Sequence, residues 1–381
     1  MTYGELTLHS TVALPTAALQ TLIERLREAG YQVHGPQVRE GVLRYGPLSS
    51  AADLPRGWVA HQAPGHYRLE RQGSPRIFAL PPGPDTWKRY LFPPREALFA
   101  WVRREGAWQP MAETETPPRL ALLGVRPCEL AALEVLDRVF LRPGWEDPHY
   151  RARRSRLFIV AVNCTQPSAT CFCTAWGTGP EAQSGYDLLL TELDETFLVQ
   201  VGSEAGREVL AALPWEPASA FWLERARREL EAARQQIQRR LPEAAALRQA
   251  LLEQLESPLW ETWAARCLGC GNCTQVCPTC FCWDVEDEIT LEGDRVTRLR
   301  RWDSCFAPGH AHTAGGSARP TLRERFRQWV THKLATWRDQ FGVSGCVGCG
   351  RCITWCPAGI DLTEVAREFA AAHADHERRE P

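Results

Sequence analysis

The sequence lacks the features that mark several common classes of protein. Its 44 lysines and arginines nearly balance its 46 aspartates and glutamates, so nothing favours binding to nucleic acid or to an acidic membrane surface. No apolar run reaches the roughly 18 residues needed to span a bilayer. The N-terminal segment MTYGELTLHS has neither the basic region nor the apolar core of a secretion signal. These absences predict a cytoplasmic protein with neither nucleic acid nor a membrane as its partner.

Lysine is nearly absent, and the usual nucleotide-binding motifs are missing. Lys88 and Lys333 are the only lysines, and neither follows the glycines of a Walker A loop. No G-x-G-x-x-G motif stands between a predicted strand and a predicted helix. If the chemistry of this protein draws on NAD(P)H, we therefore expect another chain to bind that nucleotide.

Cysteine, in contrast, is abundant. Fifteen cysteines in a cytoplasmic protein indicate metal or redox chemistry rather than a disulfide framework. Eight of them lie in two runs, CLGCGNCTQVCP (267–278) and CVGCGRCITWCP (346–357), which share the spacing C-x2-C-x2-C-x3-C-P. This is the spacing of two-cluster bacterial ferredoxins, in which three cysteines of a run hold one [4Fe–4S] cluster and the fourth holds the other.

The spacing therefore predicts two crossed clusters. The expected ligands are Cys267, Cys270, Cys273 and Cys356 for the first cluster, and Cys346, Cys349, Cys352 and Cys277 for the second. Glycines between the cysteines let backbone N–H groups approach the sulfurs. A pair of structural zinc sites is the alternative, but zinc does not require a third and a fourth cysteine at the same offsets in both runs.

A strand–helix–strand pattern precedes these runs. Segments 119–125 and 157–162 are short apolar runs suited to buried strands, and 128–140 between them has helical periodicity, which predicts a right-handed parallel crossover. Cysteines follow both strands, and ligands gather where parallel strands end. The residues that could hold a third cluster there are Cys128, Cys164, Cys171 and Cys173. Alternatively, these thiols are small buried apolar side chains.

Three cysteines remain unassigned: Cys280, Cys282 and Cys305. They could pack beside the first cluster, contact it through sulfur, or bind a metal with a histidine as the fourth ligand, for which His310, His312 and His332 are candidates. The segments NCTQPSATCFC (163–173) and NCTQVCPTCFC (272–282) agree at eight of eleven positions. Chance, or a constraint shared by two loops near metals, would explain this agreement.

The periodicity predicts the rest of the architecture. Helices are expected over 15–29, 219–241 and 322–341, and hairpins are expected over 186–201 and around Gly293. We predict an α+β fold. It begins with an N-terminal α/β domain (1–215) that contains a short parallel βαβ unit, and continues with a helical connector (216–258) and an α-helical two-cluster ferredoxin domain (259–381).

Several motifs together resemble a known family. They are LLGVRPCELAAL, NCTQPSATCFC, CLGCGNCTQVCPTCFC, RRWDSCF, THKLATW and GCVGCGRCITWCPAGIDLTE, which span roughly residues 120–365. The chain resembles the iron–sulfur β subunit of cytosolic NAD(P)-linked [NiFe] hydrogenases of the sulfhydrogenase type. It is also similar to a related electron carrier, the iron–sulfur subunit of anaerobic sulfite reductases. The eight crossed cysteines match the cluster ligands of the family.

The resemblance implies a cytosolic complex of four subunits. A flavin-containing subunit exchanges hydride with NAD(P)H, and this subunit carries single electrons on its [4Fe–4S] clusters. The [NiFe] hydrogenase small subunit then passes them to the nickel–iron site of the large subunit. The sulfite or sulfur reductase alternative differs only in its partners.

Two other classes of function stay open at this point. One is a catalytic subunit whose CFC cysteines carry a thiol or sulfur substrate near a cluster, which an exposed thiol of low pKa would favour. The other is a structural scaffold whose metals only hold the fold, which bound zinc would favour.

Overall fold

The computed structural model describes residues 5–111 and 116–378, and it is a mixed α/β structure; residues 1–4 of the predicted N-terminal domain and 379–381 of the predicted ferredoxin domain lie outside the described residues. The strands of the N-terminal part are β1 (Thr11–Pro15), β2 (Gln32–Arg39), β3 (Val42–Pro47), β4 (Trp58–Ala63), β5 (His66–Arg71), β6 (Arg95–Arg104), β7 (Ala107–Pro110), β8 (Leu120–Val125), β9 (Leu157–Val162), β10 (Leu188–Leu193), β11 (Thr196–Val201) and β12 (Glu216–Pro217). Its helices are α1 (Leu19–Glu28), α2 (Lys88–Leu91), α3 (Pro127–Phe140), α4 (Pro148–Arg154) and α5 (Glu204–Ala211).

A large sheet organises the N-terminal part. Its strand order is β12-β1-β11-β10-β9-β8-β2-β3, and four adjacent strands, β10, β9, β8 and β2, run parallel. Strands β8 and β9 pair in parallel with α3 between them in the chain, which confirms the predicted strand–helix–strand unit. The hairpin predicted over 186–201 is confirmed as β10 and β11.

Both faces of this sheet are covered, which explains why its central strands are continuous apolar runs. Ala121 and Leu123 of β8 face one side, where they pack with the apolar stripe of α1. The neighbouring Leu120 and Leu122 face the other side and pack with α3. The sheet therefore holds the residues after β8 and β9 in a rigid position.

Helices dominate the C-terminal part. They are α6 (Ala220–Gln236), α7 (Ala244–Glu253), α8 (Leu259–Arg266), α9 (Asn272–Gln275), α10 (Leu322–Thr331), α11 (Trp337–Phe341), α12 (Arg351–Thr354) and α13 (Leu362–Glu377). The strands of this part are β13 (Trp283–Ile289), β14 (Arg295–Trp302), β15 (His312–Thr313) and β16 (Gly316–Ser317). The core between the helices of this part is rich in aromatic side chains and contains Trp260, Trp263, Phe326 and Trp329. Among the described residues, no helix is long and apolar enough to cross a bilayer.

A second sheet joins distant parts of the chain. The hairpin predicted around Gly293 is confirmed as β13 and β14, but β14 also pairs with β6, which gives the strand order β13-β14-β6-β7. The sequence did not predict this pairing. Strands β6 and β7, which precede β8 in the chain, thus form one sheet with the hairpin that follows the first cysteine run.

Three predicted helices differ in extent from the observed ones. Residues 16–18 form a 3₁₀ turn before α1. Helix α6 ends at Gln236 rather than Leu241, because Ile237 adopts an extended backbone and buries its side chain against Trp337. The helix predicted over 322–341 is interrupted by a π-helical turn, His332–Thr336, which contains the buried Lys333.

Candidate metal centres

The two cysteine runs have the same local backbone. Gly269 and Gly348 both have φ of +64°, a left-handed conformation that favours glycine. The N–H of Gly269 lies 3.4 Å from Sγ of Cys267, and the N–H of Gly348 lies 3.4 Å from Sγ of Cys346. Each run therefore provides a loop whose amide groups point towards a cysteine sulfur, as cluster ligands require.

Cysteines from both runs line one cavity. Cys267, Cys270 and Cys273 of the first run line it together with Cys356 of the second, and Cys352 also reaches its wall. Burial raises the pKa of Cys267, and the neighbouring Cys356 and Cys270 thiols raise it further. The structure thus brings together the four cysteines predicted for the first cluster. Aromatic side chains of Phe306, Phe326 and Trp329 close the rest of the wall.

The other predicted set also converges. Burial raises the pKa of Cys352 well above its usual value, and the nearby thiols that raise it further include Cys346, Cys349 and Cys277. Hydrogen bonding with Cys280 and the charge of Lys333 hold the pKa of Cys277 well below its usual range. Cys277 therefore lies with the cysteines of the other run, as the crossed arrangement requires.

A lysine lies directly against this second set. The Nζ of Lys333 is 3.3 Å from Sγ of Cys277, and it also donates to the Gly345 carbonyl oxygen at 3.0 Å. Lys88, the other lysine, donates to the Cys280 carbonyl oxygen at 2.9 Å and lies 3.9 Å from the ring centre of Trp302. Both lysines are buried. Sequence reasoning noted that these are the only lysines among 44 basic residues, but it gave them no role beside the cysteines.

The loop after β9 packs on the second run. Phe172 donates its N–H to the Gly348 carbonyl oxygen at 2.8 Å, and the Thr178 hydroxyl donates to the Val347 carbonyl oxygen at 2.7 Å. A Cβ added at Gly348 would lie 2.6 Å from the backbone of Cys173. The N-terminal part thereby encloses the second run closely.

This loop carries part of the predicted third site. Cys128, Cys171 and Cys173 pack in one buried group with Val347 and Cys349, and the Sγ of Cys171 lies 3.8 Å from the Cys349 carbonyl oxygen. Burial raises the pKa of Cys173 to about 12, and the charge of the nearby Cys164 raises it too. The four cysteines predicted at the strand ends therefore lie near one another and beside the second run.

An ion pair anchors the second run to the N-terminal part. Arg351 donates to Glu129 at 2.7 Å, and both side chains are only 1% exposed. The Tyr45 hydroxyl also donates to Glu129, and Arg351 donates to the Gly83 carbonyl oxygen, each at 2.8 Å. A buried ion pair needs such additional hydrogen bonds because desolvation of both charges is costly. Its residues were not identified from the sequence.

The three unassigned cysteines separate into two places. Cys280 lies beside Cys277, whereas Cys282 lies beside Cys305 and His310. His332 stacks on Trp337 and hydrogen-bonds Gln340, and His312 is exposed on β15. Over residues 5–111 and 116–378, no group of three or more His, Cys, Asp or Glu side chains is arranged to hold a metal ion. A [4Fe–4S] cluster is larger than one ion, so its cysteines surround a space.

Comparison with known proteins decides the family. A family described as a 4Fe-4S dicluster domain matches residues 266–360, which contain both cysteine runs. Sulfhydrogenase 2 subunit beta of Pyrococcus furiosus is 33% identical over 363 residues, which cover 94% of this chain and 97% of that protein. The chain belongs to the sulfhydrogenase beta subunit family. No solved structure matches it.

Membership of the sulfhydrogenase beta subunit family confirms the resemblance that the sequence motifs carried. The matched dicluster domain supports [4Fe–4S] clusters in the C-terminal part. The fold prediction is confirmed in its coarse form, as a mixed α/β chain with a large sheet containing parallel strands and a C-terminal 4Fe–4S domain.

Proposed function

We propose that this chain is the electron-transfer component of a cytosolic [NiFe] hydrogenase complex. Its two [4Fe–4S] clusters carry electrons between the hydrogenase small subunit on one side and a flavin- and NAD(P)H-binding subunit on the other. The large subunit holds the nickel–iron site. Family membership and the dicluster domain support this proposal. Neither nucleic acid nor a membrane takes part in it.

One observation carries the proposal: a single cavity is lined by cysteines from both runs. This favours the crossed assignment over two separate zinc sites, because a separate site would use the cysteines of one run alone. The first cluster is assigned to Cys267, Cys270, Cys273 and Cys356, and the second to Cys346, Cys349, Cys352 and Cys277. In this proposal residues 259–381 hold the clusters, 216–258 connect, and 1–215 form the scaffold packed on the second run.

When bound, the clusters supply reversible one-electron transfer. The residues of this chain set the conditions for it. Amide groups of Gly269 and Gly348 donate towards thiolate sulfurs, and Lys333 places a positive charge beside Cys277. Such hydrogen bonds and charges stabilise the more negative, reduced state. The exposed side of Cys270 gives the first cluster an opening for a partner, because the rate of tunnelling falls with distance.

A third cluster on Cys128, Cys164, Cys171 and Cys173 is a separate part of the proposal. Its support is the packing of Cys128, Cys171 and Cys173 in one buried group next to Cys349. Cys171→Ser tests it, because loss of about four irons per chain is expected if these thiols bind a cluster. Unchanged iron content would remove the third site and leave the thiols as buried apolar groups.

The deciding test is the metal content of anaerobically purified protein. Iron and zinc per chain are measured together with EPR spin counting after reduction. About eight irons support two clusters, and about twelve add the third. Zinc in place of iron would contradict electron transfer and favour a scaffold.

Co-purification identifies the partners. A tagged chain expressed in its own organism should recover a flavoprotein together with both [NiFe] hydrogenase subunits. Recovery of a sulfite reductase catalytic subunit without nickel would contradict the hydrogenase assignment and favour the alternative in an anaerobic sulfite or sulfur reductase.

A further inference from the structure

Three tryptophans in the aromatic core of the C-terminal part differ in whether the indole N–H has an acceptor. The Nε1 of Trp260 donates to the Gln254 carbonyl oxygen, and the Nε1 of Trp263 donates to Oε2 of Glu368, each at 2.8 Å. Trp329 belongs to the same core, but its buried Nε1 has no hydrogen-bond acceptor in the part of the chain that the structure describes. The protein satisfies two of these indole groups and leaves the third unpaired.

An unpaired donor of this kind is unfavourable. A buried N–H has lost its hydrogen bond to water, and without an acceptor it gains nothing in return. Native proteins leave few such groups, and the indole N–H of a buried tryptophan usually finds a partner. A wall that only had to be apolar would be served equally well by phenylalanine. The N–H of Trp329 therefore indicates that an acceptor belongs beside it.

The surroundings of Trp329 show from which side an acceptor can reach it. Its ring packs against that of Phe306, with ring centres 5.8 Å apart, and against that of Phe326, with ring centres 5.7 Å apart. Neither phenylalanine side chain has a hydrogen-bond acceptor. Trp329 also lines the cavity that cysteines of both runs surround, among them Cys273 and Cys356. The side of the ring environment that is rich in sulfur is thus this cavity.

The cavity wall favours sulfur over water as the acceptor. Beside the cysteines it contains Phe306, Phe326 and Ile360, each of which is at most 4% exposed. A buried water needs two to four polar partners, and these side chains offer none. Sulfur atoms of an iron–sulfur cluster carry negative charge and accept hydrogen bonds from N–H groups, which tune the cluster's potential.

Helix α10 fixes the position of Trp329. The helix starts at a capping box in which Thr321 and Glu324 satisfy each other's backbone N–H groups. Phe326, Trp329 and Val330 are three and four positions apart, so they share one face, and all three are buried. The indole group is therefore held beside the cavity by packing, and little reorganisation is needed for it to act as a donor.

We propose that the indole N–H of Trp329 donates a hydrogen bond to a sulfur atom of the first cluster and thereby raises its reduction potential. The inference rests on the function proposed above, because it needs a [4Fe–4S] cluster in this cavity. The reduced cluster is more negative, so a donor favours it over the oxidised one. The amide of Gly269 belongs to the cysteine motif itself, whereas Trp329 comes from the segment between the two runs.

The first test asks whether the indole nitrogen is magnetically coupled to the cluster. The complete chain is purified anaerobically from a tryptophan auxotroph that is supplied with tryptophan labelled with ¹⁵N in the indole ring, so backbone nitrogens stay unlabelled. After reduction, pulsed EPR should show ¹⁵N coupling on the signal that Cys270→Ser removes. Trp329→Phe should abolish this coupling. The matched control Trp263→Phe makes the same change in the same core and should retain it.

The second test measures the potential of the first cluster. At a fixed potential near the midpoint, Trp329→Phe should lower the ratio of reduced to oxidised first cluster by about threefold to tenfold, as expected for the loss of one hydrogen bond. The ratio for the second cluster should not change. Trp263→Phe should leave both ratios unchanged, because its N–H already has Glu368 as its acceptor. An equal fall in Trp263→Phe would mean that repacking of the core sets the potential, and that would overturn the proposal.

The outcomes also separate this inference from the electron-transfer function. A reduced chain without any cluster signal contradicts the electron-transfer function and this inference with it. A cluster signal that shows no indole coupling, or whose coupling persists in Trp329→Phe, overturns the hydrogen bond alone. If Trp329→Phe loses its iron, the coupling in the unaltered chain still decides, with Trp260→Phe and Trp263→Phe showing whether it comes from another tryptophan of the core.

Discussion

The two cysteine runs have one motif and one backbone, yet their surroundings are opposite. Leu268 and Val347 occupy the same position in the two runs, but Leu268 is 68% exposed and Val347 is 3% exposed. Likewise Asn272 is exposed, whereas Arg351 at the equivalent position is buried in an ion pair. The first run opens to the surface, and the second is enclosed by the loop after β9.

This difference separates what a motif determines from what the rest of the chain determines. Cysteine and glycine spacing shapes each loop locally, so both runs direct amide groups to sulfur. Burial and charge come from remote segments, and these are the factors that set a cluster's potential. In the proposed function, the two clusters therefore have different potentials, and the open one is placed to exchange electrons with a partner.

Removal of a crossing cysteine should have the largest effect. Cys356→Ser lies in the second run but should destroy the first cluster, with loss of about four irons per chain. Its EPR spectrum after reduction should match that of Cys270→Ser. Cys277→Ser should match Cys349→Ser instead. If the EPR spectrum of Cys356→Ser instead matches that of Cys349→Ser, the clusters are not crossed, and each run holds a cluster of its own.

Alanine at equivalent glycines should separate packing from backbone strain. Gly269 and Gly348 share a φ of +64°, so each Ala variant carries the same backbone cost of about 1–2 kcal/mol. A Cβ at Gly348 would also meet Cys173 backbone atoms at 2.6 Å, whereas at Gly269 it would meet Leu322 Cδ1 at 3.2 Å.

We therefore expect Gly348→Ala to cost about 2 kcal/mol more than Gly269→Ala, which corresponds to an additional fall in Tm of about 4–8 °C. Differential scanning fluorimetry of both variants under the same anaerobic conditions measures this difference in Tm. Equal Tm values for the two variants would mean that the loop after β9 yields easily and does not enclose the second run tightly.

The same distinction explains how far sequence reasoning reached. Ligand spacing is local and repeated, so it is enough to predict the crossed sets, which stay a prediction. The strand–helix–strand unit could be predicted because its strands are continuous apolar runs. The pairing of β6 with β14 could not be predicted. The paired residues are about 200 positions apart, and along β6 exposed side chains alternate with buried or half-buried ones. The β13–β14 hairpin can be predicted locally, but its sequence does not specify which distant strand pairs with the free edge of β14.

The side chains around the sites were predicted least well. The ion pair between Glu129 and Arg351 forms because α3 packs on the second cysteine run. Sequence periodicity carries no information about that packing. Lys333 lies in a π-helical turn within a region where 3.6-residue periodicity predicts one continuous helix. His310 was recognised only as one of three candidate metal ligands, because its contact with Asp303 requires the hairpin to be formed.

The charge of Lys333 provides the finest test of the comparison. Lys333→Met keeps much of the side-chain volume but removes the donor 3.3 Å from Cys277 Sγ. Since that charge stabilises the reduced cluster, the potential of the second cluster should fall by about 60 mV, equivalent to about 1.4 kcal/mol for one electron. An EPR-monitored redox titration measures the reduction potential of each cluster separately.

A matched variant at the open run completes the test. The Arg325 charge acts on Cys267, but this side of the chain is more exposed, so water screens it. Arg325→Met should therefore lower the potential of the first cluster by less than Lys333→Met lowers that of the second. Equal shifts would mean that enclosure by the N-terminal part does not strengthen electrostatics at the second run, and the proposed difference between the two clusters would rest on exposure alone.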